Sequence, residues 1–347
     1  MQSLYFDAAA TTPLAPEAAD AMDALRDTWG NSASQHHLGR ESRAVVERSL
    51  TRIAEVLGVS PHQLTPTHGG THGNQQVLQV AARRWGWAHL YASTVEHSSV
   101  VDLLLPENRF DPMTFAGTRP EARLLALMQV NNETGAIYDI AALRRSFPDA
   151  VLLSDWVQAV HRVPHSWLAE VDIATFSAHK FGGPKGMGVL YTAVPEAWPE
   201  LTAQHHTVDH VRLAGMAAAL LRDPKAEHLQ RLTLHLQQLL QASVPGLIIH
   251  RHGIAQASGI LSVSVPGVRG AQIMRLLDTE EALCVSTGAA CTRNIFAPSR
   301  VLQAITSDTQ HHYPVRLSLH TGLTLEDTEH LAAAFASIVG QLRAQVR

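Results

Sequence analysis

The sequence predicts an α/β protein with a larger unit built on a mostly parallel sheet and a smaller α/β unit toward the C-terminal end. Three observations carry this expectation. Segments 124–130, 151–153 and 171–176, with a fourth at 89–92, are short and predominantly apolar, without the regular alternation of a half-exposed strand, as expected of parallel strands buried on both faces. Apolar residues at helical spacing lie on either side of them. Beyond about Gln230 the pattern changes to shorter strand segments, 247–250, 260–265 and 315–319, alternating with helices. The expected division is residues 14–230 for the large unit, with 1–13 and 231–347 forming the small one.

Each element has a local reason. Val46, Leu50, Ile53 and Leu57 recur on one helical face, and Gly58 supplies the stop. Leu331, Phe335, Ile338 and Leu342 do the same near the C-terminus, after Thr324 and Asp327 in capping-box positions. The apolar strand segments run into polar clusters: Glu96-His97, Asn131-Asn132-Glu133, Asp155, and Ser177-Ala178-His179-Lys180. Ligands of open α/β sheets bind outside the carboxyl ends of the strands, so these clusters are expected to share one site.

Composition narrows the function. With 347 residues, 46% of them hydrophobic and 17% charged, the chain can bury a sizeable core. The formal net charge of −4, with scattered basic residues, argues against a nucleic-acid partner. No apolar run is long enough to cross a bilayer, and the N-terminus lacks a signal-peptide pattern, so a cytoplasmic protein without membrane contact is expected. The two cysteines, Cys284 and Cys291, make neither a disulfide framework nor a metal-ligand spacing. Histidine pairs such as His36-His37, His205-His206 and His311-His312 match no zinc motif, and no metal is expected. Lysine occurs only at Lys180, Lys185 and Lys225, arginine supplying the other basic charge. Arginine cannot replace an amine that must lose its proton, and two of the three lysines share one Gly-rich stretch.

Lys180, at the end of an apolar strand, is placed as a Schiff-base lysine needs to be, although a solvated loop lysine is the commoner fate. Ser177 and His179 beside it can donate to a phosphate. Thr67-His68-Gly69-Gly70-Thr71-His72-Gly73-Asn74 is a Gly-rich turn followed by a helix, suited to phosphate at the helix N-terminus; a structural turn is about as common. Asp155 can keep a pyridine nitrogen protonated, as pyridoxal phosphate requires, and Gln158 can reach the ring hydroxyl; turn formation is the ordinary alternative. His97 can stack on a ring and shuttle protons. Cys291 follows Ser286-Thr287-Gly288-Ala289-Ala290, small residues suited to an accessible thiol, whereas Cys284 sits between Leu283 and Val285 and reads as packing. Arg316 can bind a carboxylate bidentately or form a surface ion pair.

Together these residues resemble the class V aminotransferase family and, within it, the cysteine desulfurases. Asp7-Ala8-Ala9-Ala10-Thr11-Thr12-Pro13 resembles the family's opening signature, and Gly30-Asn31-Ser32-Ala33-Ser34, with His36 and Gly39-Arg40, the segment that follows it. Gly69-Gly70-Thr71, Glu96-His97, Asn131-Asn132-Glu133-x-Gly135, Asp155-x-x-Gln158 and Ser177-x-His179-Lys180 follow in the family's order, then Ser286-x-Gly288-x-Ala290-Cys291 and Arg316-x-Ser318. The resemblance implies a pyridoxal-phosphate transferase of fold type I, usually a homodimer. It implies that Gly70, Thr71, His97, Asn132, Asp155, Gln158, Ser177, His179 and Lys180 hold the cofactor. It further implies that Asn31, Asn132 and Arg316 bind substrate, and that Lys180, Cys291 and His97 are catalytic. The implied reaction takes sulfur from L-cysteine, leaving L-alanine and a Cys291 persulfide for an acceptor protein, as in iron–sulfur cluster assembly.

The sequence departs from the family at several points. His72 stands where glutamate is common and Gln75 where asparagine is common. The stretch from His97 to Asn131 is short, and after Lys185 no Arg-x-Gly-Thr segment occurs, with Thr207 the available stand-in for its threonine. The competing readings are a selenocysteine lyase or other pyridoxal-phosphate lyase, and a non-catalytic paralogue acting as a binding or scaffold protein.

Overall fold

The computed structural model describes residues 3–203, 207–288 and 296–345, so Cys291 and its immediate neighbours lie outside the described residues. The chain divides into two compact units. One comprises Thr12–Gln129 and Tyr138–Asp223, the other Met1–Thr11, Val130–Ile137 and Pro224–Arg347.

Among the described residues there are fourteen strands, numbered in chain order. Seven form the sheet of the first unit: β2 (Leu64–Thr67), β3 (Leu90–Ser93), β4 (Arg109–Phe110), β5 (Leu124–Ala126), β7 (Val151–Asp155), β8 (Ile173–Ser177) and β9 (Gly188–Thr192). Their order is β2-β9-β8-β7-β5-β3-β4. From β8 to β4 neighbouring strands are parallel, whereas β9 runs antiparallel to both β8 and β2. Helices α1 (Pro16–Asp23), α2 (His37–Leu57), α3 (Gly70–Trp85), α4 (Ser98–Val101), α5 (Ile140–Ser146), α6 (Pro199–Thr202) and α7 (His210–Leu221) belong to this unit. Val77, Leu78 and Ala81 of α3 pack on Leu90, Leu124, Leu153, Ile173 and Leu190 of the sheet. All residues of β3, β5, β8 and β9 are buried, which explains why they are predominantly apolar and why a polar member such as Thr175 of β8 is hydrogen-bonded.

The second unit holds the antiparallel sheet of β10 (Ile248–Ile249), β12 (Ile260–Ser264) and β14 (Val315–Ser318). It also holds the pairs β1 (Leu4–Tyr5) with β13 (Leu283–Cys284) and β6 (Ala136–Ile137) with β11 (Ala255–Gln256). Its helices are α8 (Ala226–Ser243), α9 (Gly270–Glu281), α10 (Arg300–Ile305) and α11 (Leu325–Gln345). Leu236, Leu261, Val263, Leu317, Phe335 and Ile338 form the centre of its core.

Two local expectations agree closely with what is observed. Gly58 ends α2 in the left-handed conformation at φ 70°, and Thr324 and Asp327 exchange hydrogen bonds at the start of α11. Other boundaries differ for identifiable reasons. The strand expected to run to Val130 stops at Ala126: the Leu127 and Gln129 N–H groups still donate to Leu153 O and Asp155 O of β7, but the intervening Met128 N–H donates to the Glu96 side chain at 2.6 Å rather than to a strand. Residues Val130–Ile137, expected in the large unit, group with the second one because β6 pairs with β11. The short stretch after His97 leaves only α4 and the two-residue edge strand β4 between β3 and β5. Among the described residues, no helix is long and apolar enough to cross a membrane.

Candidate active site

In the first unit the candidate residues collect at the carboxyl ends of β3, β7 and β8 and the start of α3. Asp155 is the last residue of β7 and pairs in register with Thr175 of β8. β8 ends at Ser177, and Ala178–Lys180 form a single 3-10 turn. The segment then closes on itself: the Ala178 N–H donates to Met187 O at 3.0 Å, and the Gly183 N–H to Ala178 O at 2.9 Å. A Cβ at Gly183 would lie 2.7 Å from that of Ala178, so this turn tolerates no side chain there.

Thr12 braces the same turn from far away in sequence. Its N–H and its hydroxyl both donate to His179 O, at 2.8 and 3.0 Å, and its hydroxyl accepts from the Gly182 N–H at 2.7 Å. The result is a half-buried lysine on a rigid turn rather than on a free loop. Burial, with Lys180 and Lys185 nearby, pushes the His179 imidazole down to about 4, so it is neutral near pH 7.

Gly69, at φ 119°, precedes α3, and no side chain caps that helix. A Cβ on Gly70 would stand 2.4 Å from Val157 Cγ2, and one on Gly69 would stand 3.2 Å from Ser177 Oγ. Glycine is therefore required for the helix start to lie this close to the ends of β7 and β8. Thr71 is exposed in the first turn, and Ser177 is buried.

Asp155 is 7% exposed and firmly oriented. Its Oδ1 accepts from the Val157 N–H at 2.9 Å and its Oδ2 from Asn74 Nδ2 at 2.9 Å. Gln158 is buried two residues past Trp156, and its carbonyl accepts from Arg162. His97 caps α4, its Nδ1 accepting from the Ser99 N–H at 3.2 Å. Asn31 is exposed in its own turn, with Oδ1 accepting from the Ala33 N–H, and no described contact links it to Lys180.

Arg316 and Asn132 belong to the second unit. Arg316 is 1% exposed, which removes the surface ion pair as a description. Its Nη2 meets Asp7 Oδ1 at 2.6 Å, its Nη1 donates to Asn132 O at 2.8 Å, and its Nε has no hydrogen-bond partner among the described residues. The Asn132 side chain is half-buried. Cys284 is a partly buried strand residue whose thiol is pushed up by burial and by Asp278 and Asp7, so it is protonated at neutral pH. Cys284→Ser is accordingly expected to keep whatever turnover the protein has, which a rate measurement on the purified variant checks.

The sequence pattern of the class-V aminotransferases matches residues 4–105, 107–224 and 214–331. The chain belongs to the class-V aminotransferase family, whose members depend on pyridoxal phosphate. Relatives within it carry the name cysteine desulfurase IscS. That of Anaeromyxobacter sp. (strain K) is 30% identical over 380 residues, covering 98% of this chain and 93% of the relative. That of Dictyoglomus turgidum is 29% identical over 379 residues, covering 99% and 96%. A solved structure described as a NifS-like protein superposes with a TM-score of 0.83 at 24% identity, covering 98% of this chain and all of that one, and shares the fold.

The first unit fits the family's cofactor on its own geometry. The glycine cradle and uncapped start of α3 beside the Ser177 hydroxyl suit a phosphate. The buried, doubly anchored Asp155 carboxylate suits a protonated ring nitrogen.

Ser99 and Thr175 belong to no sequence motif, and Asn74, Glu96 and Thr12 stand in theirs beside the residues expected to act, without a role of their own. Glu96 is 1% exposed, with Oε1 accepting from Ser93 Oγ at 2.7 Å and from Met128 N–H. Burial is the main cause that raises its carboxyl to about 7. Below pH 4.5 both folded and unfolded chains hold this proton. Between there and pH 7 only the folded chain does, so stability falls as pH rises through that window, by a few kcal/mol at about 1.4 kcal/mol per unit. Glu96→Gln keeps an oxygen acceptor without the titration. Its urea midpoint is expected to exceed that of the parent at pH 8 and to match it near pH 4.5.

Proposed function

We propose that the protein is a cysteine desulfurase, removing sulfur from L-cysteine to give L-alanine and a persulfide on Cys291 for transfer to an acceptor protein. The observation that carries this reading is the rigid turn holding Lys180 at the end of β8, beside a strand whose last residue is the anchored carboxylate of Asp155. The relatives' names support the substrate, and the ordered motifs support the roles of individual residues.

Pyridoxal phosphate, when bound, supplies the electron sink that stabilises negative charge at the substrate's α-carbon. Thr71, Ser177 and the N–H groups opening α3 would bind its phosphate, and Asp155 would keep the proton on its ring nitrogen. Lys180 Nζ would anchor the cofactor, and its amine is placed to take up and return the proton of the substrate's α-carbon. The neutral His179 imidazole beside Lys180 adds a hydrogen-bond donor without a competing positive charge. The same resemblance assigns the substrate carboxylate to Arg316, with Asn31 and Asn132 in supporting roles. Cys291 acts as thiolate: its sulfur bonds to the sulfur of the substrate, the bond from that sulfur to carbon breaks toward carbon, and a proton completes alanine.

The test is purified protein given L-cysteine, L-selenocysteine or L-cysteine sulfinate in parallel, with alanine and sulfide measured and the visible spectrum followed. Alanine from L-cysteine together with a spectral change supports the desulfurase. Faster release from selenocysteine indicates the lyase, and an unchanged spectrum with no product indicates a binding paralogue.

A quantitative expectation concerns cofactor retention. Lacking the Arg-x-Gly-Thr segment, the protein is expected to bind pyridoxal phosphate about ten- to a hundredfold more weakly than a relative that has it. That is the loss of one charge-assisted hydrogen bond, about 1.5–3 kcal/mol. Equilibrium dialysis of both proteins measures the difference. Equal constants would mean that Thr207 or another group supplies the bond.

A further inference from the structure

A chain of buried polar side chains connects Asp155 to His97. Thr175 Oγ1 donates to Asn74 Oδ1 at 2.9 Å, which leaves both amide hydrogens of Asn74 directed elsewhere. One reaches Asp155 Oδ2 at 2.9 Å and the other Ser99 Oγ at 3.0 Å. Ser99 Oγ in turn lies 2.8 Å from His97 Nδ1, the nitrogen that also accepts the Ser99 backbone N–H at 3.2 Å. Thr175, Asn74 and Ser99 are all buried.

The directions along this chain are forced by what each group can do. A carboxylate accepts only, so the amide nitrogen of Asn74 must face Asp155. A backbone N–H donates only, so His97 Nδ1 is an acceptor and the neutral ring carries its proton on Nε2. Ser99 Oγ accepts from Asn74, and its single proton therefore goes to His97 Nδ1. Among the described residues, Glu96 and Asp155 are charged side chains that interact electrostatically within this arrangement, Glu96 standing next to His97 in the chain.

We propose that Ser99 and Asn74 form a positioning relay that pins His97 in the Nε2–H form and ties the orientation of its ring to the carboxylate of Asp155. His97 then presents a hydrogen-bond donor at Nε2 rather than a lone pair. Its role is to stack and donate, not to act as a base. The relay stands on the geometry alone, whereas its influence on the cofactor rests on the reading of the site given above.

The experiment uses full-length, cofactor-loaded protein labelled with 15N-histidine, with the His97 signals identified by their loss in His97→Asn. At pH 8 the ring nitrogens are expected to report an unprotonated Nδ1 and a protonated Nε2. Ser99→Ala keeps the backbone donor but removes the hydroxyl. Losing one hydrogen bond should shift the tautomer ratio about fivefold toward Nδ1–H and weaken pyridoxal phosphate binding by a similar factor. Ser99→Thr retains a hydroxyl and is expected to restore both. A parent ring protonated on Nδ1, or an unchanged ratio in Ser99→Ala, overturns the relay. A shifted ratio with an unchanged cofactor dissociation constant supports the relay and overturns the reading that His97 and Asp155 face one cofactor.

Discussion

Lys180→Ala is expected to lower release of alanine from L-cysteine by about a thousandfold or more and to abolish the yellow colour of the lysine-linked cofactor. The magnitude follows from what a positioned acid–base group contributes, about 10²–10⁴-fold, added to loss of the covalent tether. The substitution should leave the fold intact. The turn from Ala178 to Gly183 is held by backbone hydrogen bonds and by Thr12, none of which involves the lysine side chain. Circular dichroism and the urea midpoint should therefore match the parent, while absorbance after extensive dialysis and single-turnover rates change. A variant that keeps both colour and turnover would remove Lys180 from its assigned role.

Cys291→Ser is expected to separate cofactor chemistry from sulfur transfer. The variant should retain the visible spectrum and still respond to L-cysteine, yet form no protein persulfide and lose alanine production by at least about a hundredfold. A serine hydroxyl remains protonated at neutral pH and is a poor acceptor of sulfur. Mass spectrometry after brief incubation with L-cysteine locates the persulfide. Sulfur found on Cys284, or undiminished sulfide release by Cys291→Ser, would falsify the assignment. The protonated state of the Cys284 thiol makes it the right internal control, since both thiols meet the same reagent and only one should carry sulfur.

The main features of the fold, and the gathering of candidate residues at strand ends, were legible in the sequence because strands buried on both faces are predominantly apolar and carry their charged groups at or just past their ends. Asp155 and Ser177 each close such a strand, and Lys180 follows within one turn. Strand direction was less legible. β9 and β2 are as buried as their parallel neighbours, so nothing in their residues distinguishes the antiparallel side of the sheet.

Asn74 did leave a trace. It lies on the same buried face of α3 as Val77, Leu78 and Ala81, so an amide occupies an apolar helical position, and such a group must be hydrogen-bonded. Ser99 left none, since a serine in the first turn of a short helix is commonplace. Arg316 was readable as a carboxylate partner, but its burial against Asp7 depends on a contact between residues 309 apart. The thiol loop was read from small residues alone, and its assignment stays with the Cys291 experiment.

The brace from Thr12 to the lysine turn has a bearing on how the protein acquires its chemistry during synthesis. Thr12 and His179 are 167 residues apart, so the brace cannot form until more than half the chain has been made. Joining points that far apart costs a flexible chain about 4–5 kcal/mol of closure entropy, which the sheet beneath must offset first. Contacts this non-local form slowly. The Thr12 brace on the turn that holds Lys180 is therefore expected to form after the sheet from β2 to β9 has assembled, leaving the lysine more solvated in a nascent chain than in the folded one. Removal of the first twelve residues should likewise loosen the lysine turn while sparing the strands beneath it.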